Sequence, residues 1–337
     1  MRRAGSFLFL LALLGAGAVP LVLGGSAAVS SSLGLAPQGY AALVAVVVAS
    51  WLLRAAKQGL LMRRLQVRAN FWRVFAISQA TEFAFLATPA GVGGYAAGIF
   101  YLRRAGASYA SATAISAADQ ILDLAFFALA MPIALMFLVD APEVGALRGV
   151  ARAAAAIVGI TLVAVWLLRK PLARWLFGDA GAPGCLARVP YLNKRSSDLR
   201  GFLRNLRAQL SALSAGSWGF LAALCVCTAL QWVTRYGVFW LIMMLLGHHV
   251  PFALLFLLQG VVLHAAQWTG APAGAGGADI GLAASLAAFA PAEAIATALL
   301  LWRFATLHLS LLGGLLAVVS LRPGAPVVAQ PAAEAAT

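Results

Sequence analysis

Pro89-Ala90-Gly91-Val92-Gly93-Gly94 and Pro272-Ala273-Gly274-Ala275-Gly276-Gly277 are two copies of one short motif, each set inside a long apolar stretch. A Pro/Gly-rich break in hydrocarbon frees backbone N–H and C=O groups that have no water to bond, so it is tolerated only where protein buries it or a cavity reaches it. Two such breaks in corresponding halves point to a transporter-type site built from interrupted helices.

The composition agrees. Hydrophobic residues make up 63% of the 337 and charged residues only 10%, against about 25% charged in a soluble domain. The sequence therefore predicts an all-α, polytopic helical membrane protein. We read one membrane domain over 1–322, with a first half at about 1–168, a basic connector at 169–215 and a second half at 216–322. The Pro/Ala-rich tail 323–337 is expected to be disordered. No appended soluble catalytic domain is expected, because no long polar segment is present. The formal net charge of +14 is assigned to cytoplasmic loops facing anionic lipid. It is not assigned to nucleic acid, since the basic residues do not interleave with an aromatic platform. Cys185, Cys225 and Cys227 form no disulfide framework, and no metal or cofactor is expected. Met1-Arg2-Arg3 before the apolar run Phe7–Leu23 resembles a signal peptide, but the run is long and many spans follow, so an uncleaved first helix is expected.

Charge placement gives a topology. Residues 6–25 and 39–60 cross and return, with Arg2, Arg3 and the loop residues Arg54, Lys57, Arg63, Arg64, Arg68 and Arg73 inside, by the positive-inside rule. Runs at about 74–88 and 95–102 flank the first motif. Each is shorter than the roughly 20 residues needed to span, and both basic flanks lie on one side, so a re-entrant hairpin is expected. Residues 109–139 cross outward to Asp140 and Glu143, and about 147–168 return. The connector is read as cytoplasmic, its part 195–214 either an amphipathic surface helix or a solvated loop. Residues 217–247 cross outward. A second hairpin, 252–270 and 278–289, has flanks without Lys or Arg, and 291–321 cross back to Arg322. About six spans and two re-entrant hairpins entering from opposite faces make an inverted repeat, in a bacterial cytoplasmic membrane with both termini inside.

Polar residues stand in step with the repeat. The register that places Pro89 on Pro272 and Gly94 on Gly277 also places Gln120 on Arg303. Both lie in crossings of about 31 residues, roughly 46 Å long. Asp119 and Asp123 flank Gln120, four apart on one helix face. Charges at this depth rarely face lipid. Two readings stay open: a buried Arg–Asp pair tying the halves together, or an anion site with Arg303 on a phosphate and the aspartates orienting it or coupling to protons. Glu82 in the first hairpin and His264 in the second are further candidates, each weighed against a purely packing or hydrogen-bonding role. Asp279 and Glu293 are expected nearer the outer surface and solvated. The motifs themselves suit an anion. Each turn, opened by Pro89 or Pro272, ends one half-helix and starts the next, exposing unpaired N–H groups and a partial positive charge, and Gly91, Gly93, Gly94, Gly274, Gly276 and Gly277 let a phosphate approach the backbone. The alternative is that these glycines serve helix packing.

Thr88-Pro89-Ala90-Gly91-Val92-Gly93-Gly94, Leu102-Arg103-Arg104-Ala105-Gly106 and Asp119-Gln120-Ile121-Leu122-Asp123, with the second motif and Leu301-Trp302-Arg303, resemble the transmembrane, flippase-like domain of lysylphosphatidylglycerol synthases over nearly the whole chain. The resemblance implies lipid translocation or lipid binding rather than synthase activity. It carries two departures: Gln120 stands where an Arg is common, and Tyr95 where a Glu is common. The function expected is a membrane lipid transporter binding an anionic headgroup between the hairpins. The competing readings are a non-transporting partner of a lipid- or glycan-modifying enzyme, and a membrane-embedded enzyme on a lipid phosphate using Asp119 and Asp123.

Overall fold

The computed structural model describes residues 2–138, 167, 190–267 and 270–321, and every regular element among them is helical. Helix α1 (Arg2–Leu33) bends at Gly25, whose φ of 55° is not helical. α2 (Pro37–Arg64) starts on a proline, where the missing N–H costs nothing, and ends on Arg63 and Arg64, cations that complement the carbonyl end. The first hairpin is α3 (Phe71–Ala87), a turn at Pro89–Gly91, and α4 (Val92–Arg104). Asn70 caps α3 by accepting from the Arg73 N–H at 2.8 Å. α5 (Tyr109–Met136) follows, capped by Ser108. α6 (Pro190–Ser214) packs on α5, so the segment read as either surface helix or loop is a helix. Arg64 holds its C-terminal end by donating to the carbonyls of Ala212 and Ala215.

In the second half, α7 (Trp218–Leu245) precedes a hairpin of α8 (Phe252–Gln267), a turn at Pro272–Gly274, and α9 (Gly277–Leu286). The last crossing is α10 (Ala292–Arg303), a π-helical turn at Phe304–His308, and α11 (Leu309–Ser320).

Among the described residues, four helical runs are long and apolar enough to cross a bilayer: Pro37–Arg64, Tyr109–Met136, Trp218–Leu245 and Ala292–Ser320. Exposed Ile121, Leu124, Leu129 and Ile133 on α5, and Leu312, Leu315, Leu316 and Val319 on α11, present apolar faces outward, as a helix in lipid does. α1 carries a shorter apolar stretch, Ala18–Leu33, eight residues past the expected end of the first span. The hairpin arms have 17, 13, 16 and 10 residues, and none has the roughly 20 that a crossing needs. The expected crossing at 147–168 apart from residue 167, Asp140 and Glu143, the connector up to 189, Arg322 and the tail lie outside the described residues.

The packing is reciprocal. α3 of the first half lies on α11 of the second, α8 of the second lies on α5 of the first, and α2 packs against α7. That is the pattern of a two-fold relation between halves. The two Pro-Ala-Gly turns meet each other and share one backbone conformation: φ, ψ of 50°, 18° at Ala90 and 53°, 19° at Ala273. A positive φ on alanine costs about 1–2 kcal/mol, so both turns are held there by their surroundings.

Candidate functional site

Six charged side chains meet among α2, α3, α5 and α7. Glu82 on α3 is 4% exposed. It is ion-paired to Arg54 of α2, and Arg235 of α7 donates to its Oε1 at 2.6 Å. One turn along α2, Lys57 is fully buried, at 0% exposure. Its Nζ lies 2.7 Å from Asp119 Oδ1 and 2.6 Å from Asp123 Oδ1. Trp232 of α7 also donates to Asp123 Oδ1, at 2.9 Å. Asp119 and Asp123 share one face of α5, as their spacing predicts.

Arg54 and Lys57 correct the sequence reading. They were assigned to the cytoplasmic loop and lie inside α2, where carboxylates rather than water satisfy them. Arg235 was missed. A signal existed: Trp51-Leu52-Leu53-Arg54 and Trp232-Val233-Thr234-Arg235 are the same Trp-x-x-Arg unit, at the same position in two helices of 28 residues. The two arginines on Glu82 are thus equivalent positions of the two halves, while Glu82 belongs to the first half alone.

A narrow cleft opens beside this cluster between α3, α4 and α5. Arg54, Gln58, Thr81, Phe85, Gly94, Tyr95, Gly98, Ser116, Asp119 and Gln120 line it, and its volume of about 30 Å³ is too small for a headgroup. Tyr95 donates its hydroxyl to Gln120 Oε1 at 3.2 Å and stacks edge-on against Phe85.

Arg303 is elsewhere, and its expected partners are not its partners. It is 3% exposed and pairs with Asp279, which is 0% exposed. Nε donates to Oδ1 at 2.7 Å and Nη2 to Oδ2 at 2.8 Å. Its guanidinium also reaches the carbonyls of Ala273 and Gly274 at 3.2 and 3.4 Å. So Arg303 ties down its own turn and does not meet Asp119 or Asp123, which Lys57 holds. Asp279, expected at the surface, is buried because Arg303 neutralises it; Glu293 is exposed.

The restarted helices do meet an anion, but it is the protein's own. Gly276 N–H donates to Asp279 Oδ2 at 3.0 Å. In the first hairpin, Gly93 N–H donates to Thr88 Oγ1 at 2.9 Å. Gly94 serves packing: a Cβ there would lie 2.2 Å from the Phe85 ring. Gly91 takes a φ of 71° that glycine adopts freely. Pro89 is exposed, whereas Pro272 and Gly274 are buried; Gly277 opens α9. His264 contacts the Gly260 carbonyl of its own helix through Nδ1 at 2.6 Å and lies edge-on to Phe127, which is the packing role. Among the described residues, no group of three His, Cys, Asp or Glu side chains is placed to hold a metal ion.

Broken hairpins in two reciprocally packed halves, apolar outer faces and buried paired charges define a polytopic α-helical integral membrane protein. Residues 8–314 match the family described as the lysylphosphatidylglycerol synthase TM region, and the chain belongs to that family. It is also similar to a UPF0104 membrane protein of Archaeoglobus fulgidus, at 25% identity over 282 residues, covering 80% of this chain and 83% of the relative.

Proposed function

We propose that this protein moves a phospholipid between leaflets and that the lipid phosphate binds at Arg54 and Arg235. The observation that carries the reading is Glu82. One buried carboxylate sits between two arginines supplied by equivalent positions of the two halves. Guanidinium groups pair with phosphate as they do with carboxylate, so Glu82 holds the place of an anion that can be exchanged. Charges at this depth are costly and mark transport paths, and a site between repeats is where alternating access acts.

The cleft is closed to a headgroup in this conformation. The first hairpin is the part that opens: its turn is exposed and carries no counterpart of the Arg303–Asp279 pair. The proposed setting is a bacterial cytoplasmic membrane with both termini inside and the hairpins entering from opposite faces. Arg63, Arg64, Arg103 and Arg104 at the ends of α2 and α4 support the cytoplasmic side of the first hairpin.

Reconstitution tests this. Proteoliposomes holding an acyl-chain-labelled phospholipid should exchange label between leaflets, and Arg54→Ala with Arg235→Ala should reduce the rate to that of protein-free vesicles. An unchanged rate in a folded double variant would remove the assigned site.

A further inference from the structure

Resting on that headgroup reading, we propose that the lipid carries an ammonium as well as a phosphate, a zwitterionic headgroup of the phosphoethanolamine class. The geometry divides the six clustered charges into two subsites of opposite sign. Arg54 and Arg235 around Glu82 sum to +1. Lys57 between Asp119 and Asp123 sums to −1. The whole cluster is neutral.

Both subsites reach the same cleft, the first through Arg54 and the second through Asp119. Lys57 is fully buried, and of the two half-buried aspartates it is Asp119 that lines the cleft. The excess negative charge is therefore offered to the cleft through Asp119. A ligand that complements a +1 and a −1 subsite carries a −1 and a +1 group a short distance apart.

Electroneutrality points the same way. A headgroup with phosphate alone would leave a net negative charge in a low-dielectric interior, where an uncompensated charge is expensive. A zwitterionic headgroup leaves the cluster at zero and needs no coupling ion. Tyr95, Gln120 and Ser116 add neutral hydrogen-bonding groups to the same wall, which can accept from or donate to the linker between phosphate and ammonium.

The test uses calorimetry on the full-length protein in detergent with three short-chain lipids: dihexanoyl phosphatidylethanolamine, its N-acetyl derivative and dihexanoyl phosphatidylglycerol. The ethanolamine lipid should bind about tenfold tighter than the other two, the worth of one charge-assisted hydrogen bond. N-acetylation removes the ammonium and leaves the phosphate, so this comparison needs no variant. Asp119→Asn should weaken the ethanolamine lipid to within about threefold of the glycerol lipid, since Lys57 keeps Asp123 as a balanced pair. Equal binding of all three lipids, or preference for the glycerol lipid, overturns the zwitterion and leaves the phosphate site standing. Failure of all three to bind overturns both. A preference that survives in folded Asp119→Asn shows that the ammonium is read elsewhere and overturns the role of Asp119.

Discussion

Arg303 grips Asp279 through two nitrogens, at 2.7 and 2.8 Å, and the same guanidinium reaches the carbonyls of the Pro-Ala-Gly turn. In the register that superposes the motifs, this pair becomes Gln120 and Ala96. Both charges are absent from the first half together, while the turn conformation is kept. The fold repeats; the lock does not.

Removing one member of the lock leaves the other charge buried and unpaired, which costs roughly 3–5 kcal/mol. Arg303→Ala and Asp279→Ala should each lower the unfolding free energy in detergent by that order. The double variant should cost clearly less than the sum of the two, because the residues act as one unit. Additive losses in a double-mutant cycle would contradict the lock. Loss of transport in Arg303→Ala would accordingly follow from the fold and not from lost phosphate binding.

Lys57 gives a second stability test of the same kind. Lys57→Met leaves Asp119 and Asp123 facing each other without a cation, and it should destabilise by roughly 3–5 kcal/mol. Adding Asp119→Asn and Asp123→Asn should recover much of that loss, since the buried charges then disappear with their partner. The comparison needs only chemical unfolding followed by tryptophan fluorescence. A triple variant no better than Lys57→Met would mean that packing of the lysine stem, and not its charge, is what matters.

The hairpins were legible because Pro and Gly break apolar runs whose arms are too short to span. Arg54 and Lys57 were misplaced because the positive-inside rule treats a cation near a helix end as solvated. That α2 runs on to Arg64, and that carboxylates on α3 and α5 face those cations, are tertiary facts. The Trp-x-x-Arg repeat would have flagged Arg54 and Arg235, since loop arginines have no reason to recur at matched helical positions. Of the two readings left open for Arg303, a pair tying the halves together or an anion site, the pair names the wrong aspartate: Arg303 holds Asp279 of its own half. Asp119 and Asp123 are near its repeat equivalent in sequence, whereas Asp279 is brought to it by the return of the hairpin.

Gly94 should tolerate no side chain. A Cβ there would lie 2.2 Å from the Phe85 ring, and that ring is held by Tyr95. Gly94→Ala should cost about 1–3 kcal/mol through overpacking. Shortening the partner in Gly94→Ala/Phe85→Leu should return part of it. Thermal unfolding of the single and double variants checks this, and a neutral Gly94→Ala would mean that α3 and α4 separate freely.

The missing lock can be put back. Ala96→Asp with Gln120→Arg recreates in the first hairpin the pair that ties the second, on a turn whose central alanine already matches within a few degrees. Gln120→Arg alone adds a cation beside Arg54 and should destabilise. Ala96→Asp supplies its counter-charge, so the double variant should be more stable than either single one. If the first hairpin is the moving element, tethering it should slow leaflet exchange about tenfold or more in proteoliposomes, since an added constraint of roughly 1.4 kcal/mol on the open state is a factor of ten in its population. A double variant that is stabilised yet transports at the parental rate would place the motion elsewhere, in the rocking of one half against the other.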